Sequence, residues 1–124
     1  MTTMRRSVLM VDDSPSMRQL VRSTLEGAGF DVIEKVDGMD ALHFAQSGSA
    51  DLVLTDINMP NMDGIQLVGE LRGLPRYKFV PILVLTTEAG GDMKQLGKQA
   101  GATGWIVKPF DPQQLIATIN RVLQ

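Results

Sequence analysis

Val8-Leu9-Met10-Val11 runs straight into Asp12-Asp13, and Leu52-Val53-Leu54-Thr55 runs straight into Asp56. Two further apolar runs behave alike: Ile82-Leu83-Val84-Leu85 stops at Thr86-Thr87, and Trp105-Ile106-Val107 stops at Lys108. Short unbroken apolar runs with helical patterns between them read as strands buried on both faces of a parallel sheet. In open sheets of this kind the ligand crevice lies outside the carboxyl ends of the strands. Three carboxylates, two hydroxyls and an amine are therefore expected at one edge.

Outward from these runs, five strand–helix units fill the chain. Strand one is expected over residues 7–11. Helix one follows Ser14, a good N-cap, with Pro15 at the first helical position and Gly29 as its stop. Its inward stripe reads Met17, Leu20, Val21, Leu25 and Ala28. Strand two is expected over 31–36 and helix two over 39–46, with Ala41, Leu42 and Ala45 inward. Strand three covers 52–56, and a loop from Ile57 to Gly64 leads to helix three over 65–72, with Leu67, Val68 and Leu71 inward. Strand four covers 82–86 and strand five 104–108. Helix five begins at Asp111 with Pro112 just inside, and its stripe is Leu115, Ile116, Ile119, Val122 and Leu123.

Helix four, over 92–100, is thinner. Its apolar residues are Met93, Leu96 and Ala100, it contains Gly97, and Gly90-Gly91 precede it. Such a segment is either a marginal surface helix or an element of low local stability that moves or meets a partner.

Five such units predict a three-layer α/β sandwich, (βα)5, with right-handed crossovers placing helices on both faces. The flavodoxin-like strand order 2-1-3-4-5 has its switch point between strands one and three, the two that carry the three aspartates. At 124 residues the chain is expected to be a single domain, 1–124, with no output domain attached. A net charge of −2 supplies no strong field that would favour nucleic acid or a membrane. The absence of cysteine excludes disulfides and thiolate metal sites. The leader Met1–Arg6 is short and slightly basic, and the apolar stretch after it runs only five residues before two aspartates, which fits neither a signal peptide nor a membrane span, so a cytoplasmic location is the default expectation.

Unit charges about 4 Å apart repel by roughly 4 kcal/mol at an effective dielectric near 20. Clustered carboxylates must therefore protonate, separate or bind a cation. Oxygen donors suit Mg²⁺, Mn²⁺ or Ca²⁺, and a site with few donors and room for water favours Mg²⁺. With Lys108 and the hydroxyls of Thr86 and Thr87 added, the set suits phosphoryl transfer. A carboxylate can itself be the nucleophile, and Asp56, single and central opposite Asp12-Asp13, is the candidate.

At this point the chain resembles the response-regulator receiver domains, in particular the stand-alone chemotaxis regulators of the CheY type. The motifs are Val11-Asp12-Asp13-Ser14, Asp56-Ile57-Asn58-Met59-Pro60 with Met62-Asp63-Gly64, Thr86-Thr87-Glu88, and Gly101-Ala102-Thr103-Gly104-Trp105 running into Lys108-Pro109-Phe110. They span nearly the whole chain. The resemblance implies a CheY-like fold and an aspartyl phosphate on Asp56. It implies a Mg²⁺ held by Asp13 directly, Asp12 through water, Asp56 and the Asn58 backbone carbonyl. Thr86 and Lys108 would contact the phosphoryl group, across a cis Lys108–Pro109 bond. Trp105 stands where the family places a switch aromatic, usually Tyr or Phe, that reshapes the face of helix four, strand five and helix five. Asn58 and Glu88 stand where the family tunes loss of phosphate. The implied partners are a histidine kinase of the CheA type, the flagellar motor switch or another protein target, and an auxiliary phosphatase. Apart from its own phosphorylation and dephosphorylation, no enzyme activity is implied.

Other readings compete. A phosphate sink or relay intermediate would drain phosphate without motor contact. A Mg²⁺-dependent phosphatase of the haloacid dehalogenase type would carry its nucleophile after strand one in an Asp-x-Asp pattern, where this chain has Asp12-Asp13. A flavin carrier would need a Ser/Thr/Gly phosphate loop where the two aspartates stand. The lone His43 reads as a surface residue, and the Gly91–Lys98 stretch departs from a phosphate loop in spacing and in lacking a following Ser or Thr. Arg5, Arg6, Arg72, Arg76 and Lys78 read as scattered surface charge.

Overall fold

The computed structural model describes residues 5–87 and 90–124. Its elements in order are β1 Ser7–Val11, α1 Pro15–Gly27, β2 Asp31–Lys35, α2 Gly38–Ala45, β3 Leu52–Thr55, α3 Gly64–Arg72, β4 Ile82–Thr86, α4 Gly91–Ala100, β5 Gly104–Val107 and α5 Pro112–Val122. The five strands are all parallel in the order 2-1-3-4-5. The expected α/β sandwich is therefore the observed one.

The apolar runs explain the sheet. Every residue of β3 and β4 is buried, as are Val8 to Val11 of β1. Alternate side chains leave opposite faces. Val8, Met10, Leu52, Leu54, Leu83 and Leu85 pack with Val21 and Leu25 of α1 and Leu115 and Ile119 of α5. Leu9, Val11, Val53 and Ile82 pack with Ala41 and Ala45 of α2 and Leu67, Val68 and Leu71 of α3. Each fully buried Leu-sized side chain stabilises the fold by about 1.5–3 kcal/mol relative to exposure. The outer strands β2 and β5 are only partly covered.

Helix starts follow local chemistry. The Ser14 hydroxyl accepts from the Met17 amide at 3.3 Å, with Pro15 inside the first turn. Asp111 accepts from the Gln113 amide at 3.1 Å ahead of Pro112. Asp63 and Gln66 form a reciprocal capping box on α3. Asp37 caps α2 and accepts from the Asp40 amide at 2.8 Å. That cap moves the start of α2 to Gly38 and ends β2 at Lys35, one residue short of Val36. Likewise β3 ends at Thr55 and β5 at Val107, so Asp56 and Lys108 are the first residues beyond the ladder.

Three apolar expectations are corrected. Leu20 is 49% exposed, because the buried line of α1 runs Val21–Leu25 and residue 20 points about 100° away from residue 21. Ala28 is the exposed C-cap, beyond the last turn. Leu96 is 48% exposed, and Gly97 is the buried residue of α4 in its place. A short 3-10 turn at Pro75–Tyr77, not anticipated, buries Tyr77 completely, and its hydroxyl donates to the Gly48 carbonyl at 2.8 Å.

Arg72 also differs from its expected role. Its guanidinium donates to the carbonyls of Tyr77 at 2.8 Å, Val80 at 2.7 Å and Gly101 at 2.8 Å. One side chain thus ties the approach to β4 to the end of α4. Burial lowers its pKa. Among the described residues no acid pairs with it; the neutral carbonyls take that place.

Candidate metal and phosphoryl site

The first residues beyond β1 and β3 sit side by side because the two strands are paired in register, Val11 opposite Thr55. The amide of Asp56 donates back to the Val11 carbonyl at 2.9 Å. Gly64 secures the other side. A side chain there would bring its Cβ within 1.9 Å of the Asp56 carbonyl oxygen, so only glycine lets α3 begin against this backbone.

Asp12 and Asp56 are buried, at 1% and 9% exposure, whereas Asp13 is exposed. One carboxylate oxygen from each of the three lies within 4.8 Å of the others. The Lys108 ammonium bridges the buried pair, 2.8 Å from Asp12 Oδ2 and 3.2 Å from Asp56 Oδ2. Burial pulls that ammonium down, but the hydrogen bond and charge of Asp12, then those of Asp56, outweigh it and raise its pKa. It is therefore charged throughout the neutral range. The remaining oxygens are also engaged: Asp12 Oδ1 accepts from the Ser14 amide at 2.9 Å, and Asp56 Oδ1 from the Ile57 amide at 2.7 Å.

Asp13 is different. Neither of its carboxylate oxygens has a hydrogen-bond or ion-pair partner among the described residues. Three carboxylates against one ammonium leave the corner two negative charges in excess, which a divalent cation cancels. The donors are hard oxygens, one exposed and open and two engaged, which fits a cation that keeps part of its water shell, as Mg²⁺ does.

The other expected residues fall as follows. Thr86 ends β4, is fully buried, and its carbonyl accepts from the Lys108 amide at 2.8 Å, so the threonine and the lysine are joined through the backbone. Thr87, the second expected hydroxyl, is exposed. Asn58 lies exposed in the loop after Asp56. The Lys108–Pro109 peptide is cis. Trp105 on β5 is half-buried against α4: a Cβ on Gly97 would come within 2.8 Å of indole Cζ3. Glu88 lies outside the described residues. His43 is exposed on α2.

Two residues that carry weight here were not singled out as site residues. Arg18 donates to the Asp12 carbonyl at 2.6 Å. Asn61, in the left-handed region at φ 69°, donates to Asp37 Oδ2 at 2.7 Å and braces the Asp56–Gly64 loop against the α2 cap. The sequence signal for Asn61 is its type, since asparagine tolerates that conformation, in a loop already marked by Pro60 and Asp63-Gly64.

Residues 8–120 match the response regulator receiver domain family, and the chain belongs to that family of CheY-type switches in two-component signalling. It is similar to the chemotaxis protein CheY of Pseudomonas aeruginosa, with 39% identity over 118 residues, 94% of this chain and 95% of that protein. The solved structure of the Vibrio cholerae chemotaxis protein CheY4 matches with a TM-score of 0.92 at 49% identity, covering 96% of this chain and 99% of that one. The receiver domain of a Pseudomonas aeruginosa sensor histidine kinase, described with a magnesium ion coordinated in its active-site cleft, matches with a TM-score of 0.90 at 28% identity, covering 97% and 98%. No described helix is long and apolar enough to cross a membrane.

Proposed function

We propose that this chain is a chemotaxis response regulator switched by phosphorylation of Asp56, with Mg²⁺ as its cofactor. The observation that carries the reading is the Lys108 bridge over Asp12 and Asp56, with the unpartnered Asp13 carboxylate beside it. Asp13 would ligate the cation directly, Asp12 through water, and Asp56 and the Asn58 backbone carbonyl would complete the protein's share. The cation would neutralise charge on the phosphoryl oxygens during transfer.

The transfer itself belongs to this chain's residues. An Asp56 carboxylate oxygen attacks the phosphorus of a phosphohistidine on the kinase. The P–N bond breaks, and its electron pair returns to the imidazole, which regains a proton. Lys108 exchanges its contact with Asp56 for one with a phosphoryl oxygen, and Thr86 moves toward the same group. The protein's chemistry is confined to gaining and losing this phosphate.

Readout runs through the face of α4, β5 and α5. Thr86 and Lys108 share a backbone hydrogen bond at the head of β4 and β5, and Trp105 of β5 rests directly on α4 at Gly97. Motion at the phosphate thus has a short path to α4, whose single buried residue leaves little to resist it. Trp105 is the switch aromatic in this scheme, and Asn58 and Glu88 tune phosphate loss. The partner is a protein such as the flagellar motor switch.

The test is transfer from a phosphorylated CheA-type kinase, followed by binding of the motor-switch protein. Wild type should lose label from the kinase and bind the switch more tightly when phosphorylated, and Asp56→Asn should do neither. Phosphate drain with no gain in binding would instead identify a phosphate sink.

A further inference from the structure

Arg18 lies on α1 outside the acidic corner, yet its guanidinium holds the main chain of that corner. Nη1 donates to the Asp12 carbonyl at 2.6 Å. Nε pairs with Glu34 Oε1 on β2 at 3.3 Å, and the Arg18 side chain is only 15% exposed. Glu34 is held in turn by Arg22, whose Nη2 donates to the Val32 carbonyl at 3.1 Å. On its other side Asp12 is fixed through its amide, which donates to the Lys35 carbonyl at 3.2 Å.

The carbonyl gripped by Arg18 is the one that joins Asp12 to Asp13. A peptide unit is planar, so fixing that oxygen fixes the plane and the direction in which residue 13 departs. Asp13 needs such a constraint more than its neighbours. Asp12 and Asp56 are oriented by Ser14, Ile57 and Lys108, whereas the Asp13 side chain has no partner of its own among the described residues.

We propose that Arg18 is a positioning residue for the cation site: it locks the Asp12–Asp13 peptide plane and so aims the Asp13 carboxylate before a cation arrives. Glu34 orients Arg18 from the neighbouring strand. The inference rests on the reading of Asp12, Asp13 and Asp56 as a Mg²⁺ site, and it carries a sign that charge alone would reverse. A guanidinium near a divalent cation repels it, so removing Arg18 on electrostatic grounds would tighten Mg²⁺ binding. If Arg18 positions the ligand, removal weakens binding, because ordering a loose ligand costs free energy at the moment of association.

The experiment measures the Mg²⁺ dissociation constant by titration calorimetry for wild type, Arg18→Met, Arg18→Lys and Glu34→Gln, each first checked for native circular dichroism. Arg18→Met keeps an apolar stem and loses both donors, and it should weaken Mg²⁺ binding about tenfold, as loss of an outer-shell partner does. Arg18→Lys keeps the charge but not the two-pronged geometry and should fall between Met and wild type. Glu34→Gln should weaken binding in the same direction by less, and it decides the matter if Arg18→Met does not fold. Binding by Arg18→Met, or in its place Glu34→Gln, that equals or exceeds wild type overturns the inference while leaving the site intact. A wild type that does not bind Mg²⁺ overturns the site reading and this inference with it.

Discussion

Asp13 is the one carboxylate of the acidic corner that lies exposed. Its carboxylate has an oxygen within 4.8 Å of one from each of two others and has no cationic partner among the described residues, whereas Lys108 serves Asp12 and Asp56. Without a divalent cation, Asp13 adds repulsion and little else. Asp13→Asn is therefore expected to stabilise the metal-free protein by about 1 kcal/mol while abolishing Mg²⁺ binding, the usual exchange of stability for function at a charged site. Urea unfolding with and without Mg²⁺ checks both halves; an Asn variant that is less stable in EDTA than wild type contradicts the first. The Lys108 bridge behaves otherwise. Its pKa is raised in the folded state, so its stabilisation is complete below the ordinary lysine value and is lost only as pH climbs through the raised one.

Among the elements, α2 and α4 carry the most specific expectations. The Asp37 cap of α2 is 8% exposed, and its pKa is lowered by the Asp40 amide first and by the Asn61 side chain second, against an opposing effect of burial. A lowered carboxylate stabilises the fold above its unfolded pKa, and that contribution disappears as pH falls through the folded value. Asp37→Ala should cost about 1–2 kcal/mol at neutral pH. The gap between variant and wild type should close as pH drops below the normal aspartate range, and urea melts across that range test it. In α4, Gly97→Ala would press a methyl into the indole of Trp105. Trp105 is the chain's one tryptophan, so its emission should shift without any phosphodonor; an unchanged spectrum would detach the ring from α4.

The same elements show what a sequence can reveal. The runs of β1, β3 and β4 were legible because a strand buried on both faces has no polar position to obscure it. Asp12-Asp13 and Asp56 were legible because they follow such runs immediately, and Lys108 because it ends the shorter, half-buried apolar run of β5. Leu20 and Leu96 were not, since hydrophobicity marks a helix's apolar sector without fixing its edges, and in α4 an indole on β5 takes the space beside Gly97. Arg72 and Arg18 were illegible for another reason: Arg72 is held by main-chain carbonyls and Arg18 reaches the site through one, and a carbonyl is a partner that every residue possesses and no residue type announces.

At the scale of the molecule, the parallel order 2-1-3-4-5 brings the ends of β1 and β3 together and sets β4 and β5 beside them. The acids and the Lys108 amine therefore converge at one edge with the end of β4 at Thr86 beside them, while Trp105 and α4 lie along the neighbouring strand. A ligand that binds only the folded state stabilises it, by about 2.7 kcal/mol at a hundred times its dissociation constant. Mg²⁺ should accordingly raise the unfolding midpoint of wild type and leave that of Asp13→Asn unmoved, a comparison available from thermal melts.

In the proposed function Asp56 accepts a phosphoryl group with the help of Mg²⁺. Its most direct test needs no kinase: the protein is incubated with a small phosphodonor such as acetyl phosphate, with and without Mg²⁺, and its intact mass is recorded. The expected result is a gain of one phosphoryl group that requires Mg²⁺, maps to the peptide containing Asp56 and is absent from Asp56→Asn. No adduct on wild type, or an undiminished adduct on Asp56→Asn, would contradict it.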